Sequence, residues 1–247
     1  MLNKIRAFAT LLLVVYAGGA DSEVRVIRYS VSTSWAMPYG GFDGEKLNQG
    51  IMYDLSQAIK NTTGYSIVFV PYPRQRTDFA VAAGEIDLRC YVSPAWMASP
   101  GSYTWSEKLL DVPSVIFGTS GEPQVTSLNR MLTGAAVSTV LGYKYPTLAP
   151  YFSESLMMRD DALDQDKVFL KVRAKFARFG VSDLLSLDWY KKSSASHGLS
   201  AWTLEINRDA FHCGIPKNSA VDADYVLKGI NELKRTGQIE RILRKYR

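Results

Sequence analysis

Cysteine and histidine are the scarce residues of this chain. Its 247 residues include two cysteines, Cys90 and Cys213, and two histidines, His197 and His212. Neither histidine lies in a ligand spacing such as HxxxH or beside a cysteine motif, so no metal site is expected. A GxSxG nucleophile motif is missing as well, and no cofactor is expected. There is no internal repeat and no low-complexity tract. Charge of one sign is in small excess: the formal net charge is +5, and Lys4 and Arg6 near the N-terminus supply two of those charges. That excess is too small to argue for a nucleic-acid partner, and the clusters at Lys144, 171–175, Lys191-Lys192 and 234–247 read as solvated helix faces. The one long apolar run, residues 7–18, falls short of the roughly 20 residues that span a bilayer.

That run has another meaning. Lys4 and Arg6 precede it and the small residues Gly18-Gly19-Ala20 follow it, which is the order of an export signal cleaved after Ala20. No cysteine lies near the cleavage point, so a lipid anchor is not indicated. About 227 mature residues fit one large domain or two lobes of about 100 each, and a hydrophobic content of 47% supports real cores. In an oxidising compartment Cys90 and Cys213 are disulfide candidates; two small buried thiols are the alternative reading, and spacing does not decide between them.

Residues 50–87 say most about the fold. Gly50 opens a helical pattern carried by Met52, Leu55, Ala58 and Ile59, a β-rich run follows at 66–70, then come Pro73-Arg74-Gln75-Arg76 and Gly84-Glu85-Ile86-Asp87. Helix, strand, helix, strand is a parallel α/β unit whose loops face a cleft. A strand at 24–32 precedes it, and the turn Trp35-Ala36-Met37-Pro38-Tyr39 lies between. Further on, 88–91 reads as a strand and 109–117 as an apolar β-branched run. A short helix is expected at 128–134, a strand at 135–140, a helix near 147–152, the longest amphipathic stretch at 163–179, and a strand and turn at 181–188. Residues 210–217 read as a returning strand, followed by a helix at 220–236 capped by Asn218 or Ser219, and a last helix to Tyr246.

This ordered set resembles the bacterial extracellular solute-binding proteins of family 3, the amino-acid-binding kind, over nearly the whole mature chain. The resemblance implies an α/β type II periplasmic binding fold with two lobes, two crossover hinge strands and a ligand cleft between them. It divides the chain into a signal peptide, 1–20, a discontinuous first lobe, 21–112 plus 209–247, and a second lobe, 113–208. It also implies that the strands carrying Cys90 and Cys213 are neighbours in the first lobe.

Family members hold an amino acid between aromatic walls, a clamp for its carboxylate and an acid for its ammonium. By resemblance Trp35, Tyr39 and Tyr72 are the aromatic walls, Arg76 is an anion-binding guanidinium, and Tyr143 stands beside the helix start after Gly142. Within Asp183-Leu184-Leu185-Ser186-Leu187-Asp188 the match makes Asp188 the ligand acid and Asp183 a structural one. Each has a plain alternative: core packing for the aromatics, a surface salt bridge for Arg76, a helix cap for Asp188. One departure stands out, for no arginine occurs from Tyr91 to Tyr103, where relatives carry the carboxylate clamp. Either Arg76 or Arg89 takes over the clamp or the ligand lacks that carboxylate.

The implied function is a monomeric periplasmic protein that captures a small polar, amine-bearing or amino-acid-like solute for the membrane subunits of an ABC importer. The alternatives are a dehydratase-like enzyme on the same scaffold, with Asp188 or Glu205 as acid, and a sensory or scaffold module with a degenerate cleft.

Overall fold

The computed structural model describes residues 25–128, 133–194 and 196–247; the expected signal peptide, and residues 129–132 of the expected helix at 128–134, lie outside them. The chain begins with β1 (Val26–Ser32), a hairpin of β2 (Gly41–Asp43) and β3 (Lys46–Gln49), α1 (Ile51–Thr63), β4 (Ser66–Tyr72), α2 (Arg74–Ala82) and β5 (Leu88–Val92). Two 3-10 turns, Pro94–Trp96 and Pro100–Ser102, lead to β6 (Tyr103–Trp105) and β7 (Leu110–Gly118). Then come β8 (Ala136–Val140), α3 (Ala149–Ser153), β9 (Met158–Ala162), α4 (Gln165–Arg173), β10 (Phe179–Asp183) and α5 (Leu184–Ser193). The chain closes with β11 (Leu204–Pro216), α6 (Ala223–Arg235) and α7 (Gln238–Arg244).

The strands run in the order β4-β1-β5-β11-β7-β10-β8-β9, with β6 paired to β11. Long β11 explains how one path serves two lobes. Residues 204–211 pair antiparallel with β7, whereas residues 212–216 pair with β5 and β6. The cores divide at the same place. Ile27, Tyr29, Leu55, Ile59, Phe211, Val226 and Ile242 belong to one cluster. In the second lobe the strand alternation of β7 sends Val115 and Phe117 to the α4 face with Val168 and Phe169, and Ile116 to the other face with Val137, Phe179 and Val181.

Local chemistry sets the element ends. Gly50, with φ 103°, lets α1 start where a Cβ would meet the Tyr39 carbonyl oxygen at 2.8 Å, and Gly64, with φ 74°, ends the helix as a left-handed cap. Asp164 and Asp183 cap α4 and α5 by accepting from the backbone N–H of Lys167 and Ser186, each at 2.8 Å. These caps correct the sequence reading at 163–188. The amphipathic stretch is not one element: α4 stops at Arg173, Lys175 turns left-handed with φ 62°, Phe176 is exposed, and Phe179 already belongs to β10. Residues 184–193 are helix rather than turn. The C-terminal helix likewise begins later than expected, on an Asp222 cap that accepts from Tyr225 N–H at 3.0 Å.

Cys90 and Cys213 are direct register partners on β5 and β11 and are joined by a disulfide, with Cα atoms 4.0 Å apart. Immediately after Cys90 the ladder slips, with Cys213 opposite Cys90 and His212 opposite Val92. Tyr91 is the extra residue of this bulge and takes φ 59°, a conformation uncommon outside glycine. The bulge thus lies where β5 ends beside the cleft.

Candidate ligand-binding site

The C-terminal ends of β1, β5 and β10, the N-terminus of α2, the loop after β8 and the middle of β11 surround one cavity between the lobes. Its empty volume is about 1090 Å³, the solvent at its mouth included. Placement outside strand ends is where α/β sheets gather ligands, because loops and helix N-termini converge there.

Two guanidinium groups form one wall. Arg74 is the first residue of α2 and Arg89 lies on β5; both reach the cavity. The Arg89 side chain is 4% exposed, and its Nη1 donates to Tyr103 Oη at 2.8 Å and to Asp78 Oδ1 at 3.1 Å. Arg74 Nη1 reaches the same Asp78 oxygen at 3.2 Å. Asp78 is itself largely exposed and positions both guanidinium groups; apart from a weak contact of Arg89 Nη1 with Met97 Sδ at 3.9 Å, their other N–H donors meet no acceptor among the described residues. Planar forks of this kind suit a carboxylate.

Across the cleft stands Asp183, at the end of β10. Its Oδ1 accepts the α5 cap bond from Ser186 N–H and its Oδ2 accepts from the hydroxyl of Tyr91 at 3.3 Å. Burial holds its carboxyl above the ordinary value of 3.8, and the bonds from Ser186 and Tyr91 only partly offset that. Among the described residues no lysine or arginine pairs with it. The neighbouring Ser182, 3% exposed, lines the cavity with a hydroxyl that has no hydrogen-bond partner among the described residues. A carboxylate and a hydroxyl so placed offer acceptors to an ammonium group.

Aromatic rings fill the first-lobe wall around Tyr91. Tyr39 stacks on it at 3.9 Å between centroids, and Trp35, Phe211 and Trp96 meet it edge-on at 6.0, 5.5 and 6.2 Å. Burial keeps Tyr39, Tyr91 and Tyr143 protonated well past the ordinary phenol range. Further contacts cross the cleft. Gln165 N–H donates to the Ser34 carbonyl at 3.2 Å, and Gly142, with φ 81°, allows its loop to approach Gln75 so closely that a Cβ would lie 2.7 Å from Gln75 Cγ.

Of the residues singled out in the sequence, Trp35 and Tyr143 line the cavity. Tyr39 sits behind Tyr91, 2% exposed. Tyr72 and Arg76 do not line the cavity: Tyr72 donates to Glu85 and the exposed Arg76 lies over its ring at 5.9 Å. Arg89, the alternative clamp, is inside. Asp188 is corrected in position, because α5 begins at Leu184 and carries Asp188 onto its exposed face; the acid at the cleft is Asp183. Strand-end position was the signal for it, since a capping Asp directly after a buried β run marks the point where strand meets helix. Arg74, Tyr91 and Asp209 were not singled out. Among the described residues no group of three or more His, Cys, Asp or Glu side chains is placed to hold a metal, and no helix is long and apolar enough to cross a membrane.

No protein-family model matches this chain, and no curated protein matches it either. Solved structures do. An ancestral arginine-binding protein bound to arginine is 18% identical, with 91% of this chain and 99% of that one covered at a TM-score of 0.77. The substrate-binding protein of an amino acid ABC transporter is 16% identical, with 90% and 98% covered at 0.73. A histidine kinase sensor domain with similarity to periplasmic binding proteins is 17% identical, with 90% and 96% covered, also at 0.73. At such identities the likeness establishes architecture, and the chain has the two-lobed α/β fold of the periplasmic amino-acid-binding proteins.

Proposed function

We propose that this chain is a solute-binding protein whose cleft captures a small amino-acid-like solute and closes on it. One observation carries the reading: Arg74 and Arg89 from the first lobe and Asp183 from the second, opposite charges on opposite lobes, converge on a single cavity. A zwitterion satisfies both poles only when the lobes are together. Closure is then driven by ligand contacts made in the closed state and lost in the open one. On this reading β7 and β11 are the hinge strands between lobes 21–112 plus 209–247 and 113–208. The leader at 1–20 directs a monomer to the periplasm, where the closed form is presented to an ABC importer, and no chemical step follows binding.

The test is native mass spectrometry of protein purified from the periplasm without refolding, followed by analysis of the released solute. A small amine-bearing acid recovered unchanged after prolonged incubation supports a binding role. Conversion of the solute to a new product supports the dehydratase-like alternative instead.

A further inference from the structure

A second carboxylate in the cavity has no part in this scheme. Asp209 lies on β11, two residues past the ladder slip between Glu205 and Asn207, and its side chain lines the cavity. Trp96 Nε1 donates to its Oδ2 at 2.7 Å and Asn207 Nδ2 to the same oxygen at 2.6 Å. Oδ1 accepts no hydrogen bond among the described residues. Nor does any described lysine or arginine pair with Asp209; the adjacent Arg208 is turned to Glu205, at 2.6 Å. Two neutral donors fix the direction of a carboxylate without compensating its charge. A cation arriving at Oδ1 would gain a charge-assisted bond.

Closure makes the consequence sharper. Shutting the cleft over a solute with a neutral side chain would strip water from Asp209 and leave its charge unpaired, and an acidic side chain would meet like charge. Neither penalty applies to a cationic side chain. Resting on the reading above, we infer that Asp209, aimed by Trp96 and Asn207, receives a second cationic group, so that the solute class is amino acids with a positively charged side chain.

Calorimetric titration of ligand-stripped protein with L-arginine, L-lysine, L-glutamine and L-glutamate tests this, in the wild type and in Asp209→Asn. The variant retains an oxygen for Trp96, and its urea midpoint serves as the folding control. The expected result is that arginine or lysine binds about 100-fold or more tightly than glutamine in the wild type, and that this ratio falls at least about tenfold in Asp209→Asn. Glutamine or glutamate binding as tightly as the basic amino acids, or a ratio unchanged by the substitution, overturns the inference and leaves the amino-acid reading standing. Failure of all four to bind overturns both.

Discussion

The Tyr91 hydroxyl on β5 donates to Oδ2 of Asp183, the residue that caps α5 on the other side of the cleft, at 3.3 Å. Tyr91 is brought there by a bulge, with φ 59°, and is braced by Tyr39, Trp35, Trp96 and Phe211. Backbone strain of this kind persists where surrounding packing fixes it, and it gathers at ligand sites. One hydrogen bond thus couples lobe closure to the acid proposed to hold the ligand's ammonium.

The Asp183 carboxyl is raised from 3.8 chiefly by burial. The folded protein therefore binds its proton more tightly than the unfolded chain does, and stability from this group falls as pH rises from about 4 through the raised value, then levels off. Asp183→Asn keeps an oxygen for the Ser186 cap and removes the buried charge. The ligand-free variant is expected to be at least as stable as the wild type near pH 7, with its relative advantage shrinking on acidification towards about pH 4. Urea midpoints across that interval check this; a difference independent of pH contradicts it.

Asp87 behaves in the opposite sense. Burial alone would raise its carboxyl, but Arg28 donates through its backbone N–H, Nε and Nη2 at 2.9, 2.8 and 2.7 Å, and Ser219 Oγ at 2.7 Å, so it stays below 3.8. This contribution is present above the unfolded carboxylate value and lost as pH falls through the folded one. Because the Arg28 side chain is 41% exposed, the pair is partly screened, and Asp87→Asn is expected to cost about 1–3 kcal/mol near pH 7. Chemical denaturation should show the deficit narrowing as the pH falls from 7 to below the ordinary carboxylate value of 3.8. An equal deficit at both pH values would place the effect in packing rather than charge.

The link between Cys90 and Cys213 joins residues 123 apart in sequence and holds β11 to β5 beside Tyr91. Restricting so long a loop in the unfolded chain stabilises by about 2–4 kcal/mol. Cys90→Ala with Cys213→Ala should lower the urea-derived stability by that order, and denatured, unreduced protein from the periplasm should show no thiol by Ellman titration. Two titrating thiols would contradict the link.

Architecture was legible in the sequence because it rests on strong local signals: Gly50 opening α1, the β-branched runs of β4 and β7, and the late helices. Trp35 and Tyr143, which also line the cavity, were reached through the family resemblance rather than from local pattern. Asp188 was misplaced because the five-residue spacing to Asp183 hid a cap, and the cap decides which acid faces the cleft. Arg76 and Arg74 differ by only two residues, but on a helix that spacing turns a side chain from cleft to solvent. Tyr91 and Asp209 depend on ladder slips created by pairing between distant segments, and local pattern does not encode those.

The central claim is that Asp183 and Arg74, not Asp188 and Arg76, hold the two ends of the solute. It is tested most directly by calorimetric titration of the tightest-binding amino acid into Asp183→Asn, Arg74→Gln, Asp188→Asn and Arg76→Gln. The account predicts a loss of about 2–5 kcal/mol in binding free energy for Asp183→Asn, a marked loss for Arg74→Gln, and affinity within a factor of about three of wild type for the two surface variants. Unchanged affinity in Asp183→Asn, or a loss at Asp188 in its place, would contradict it.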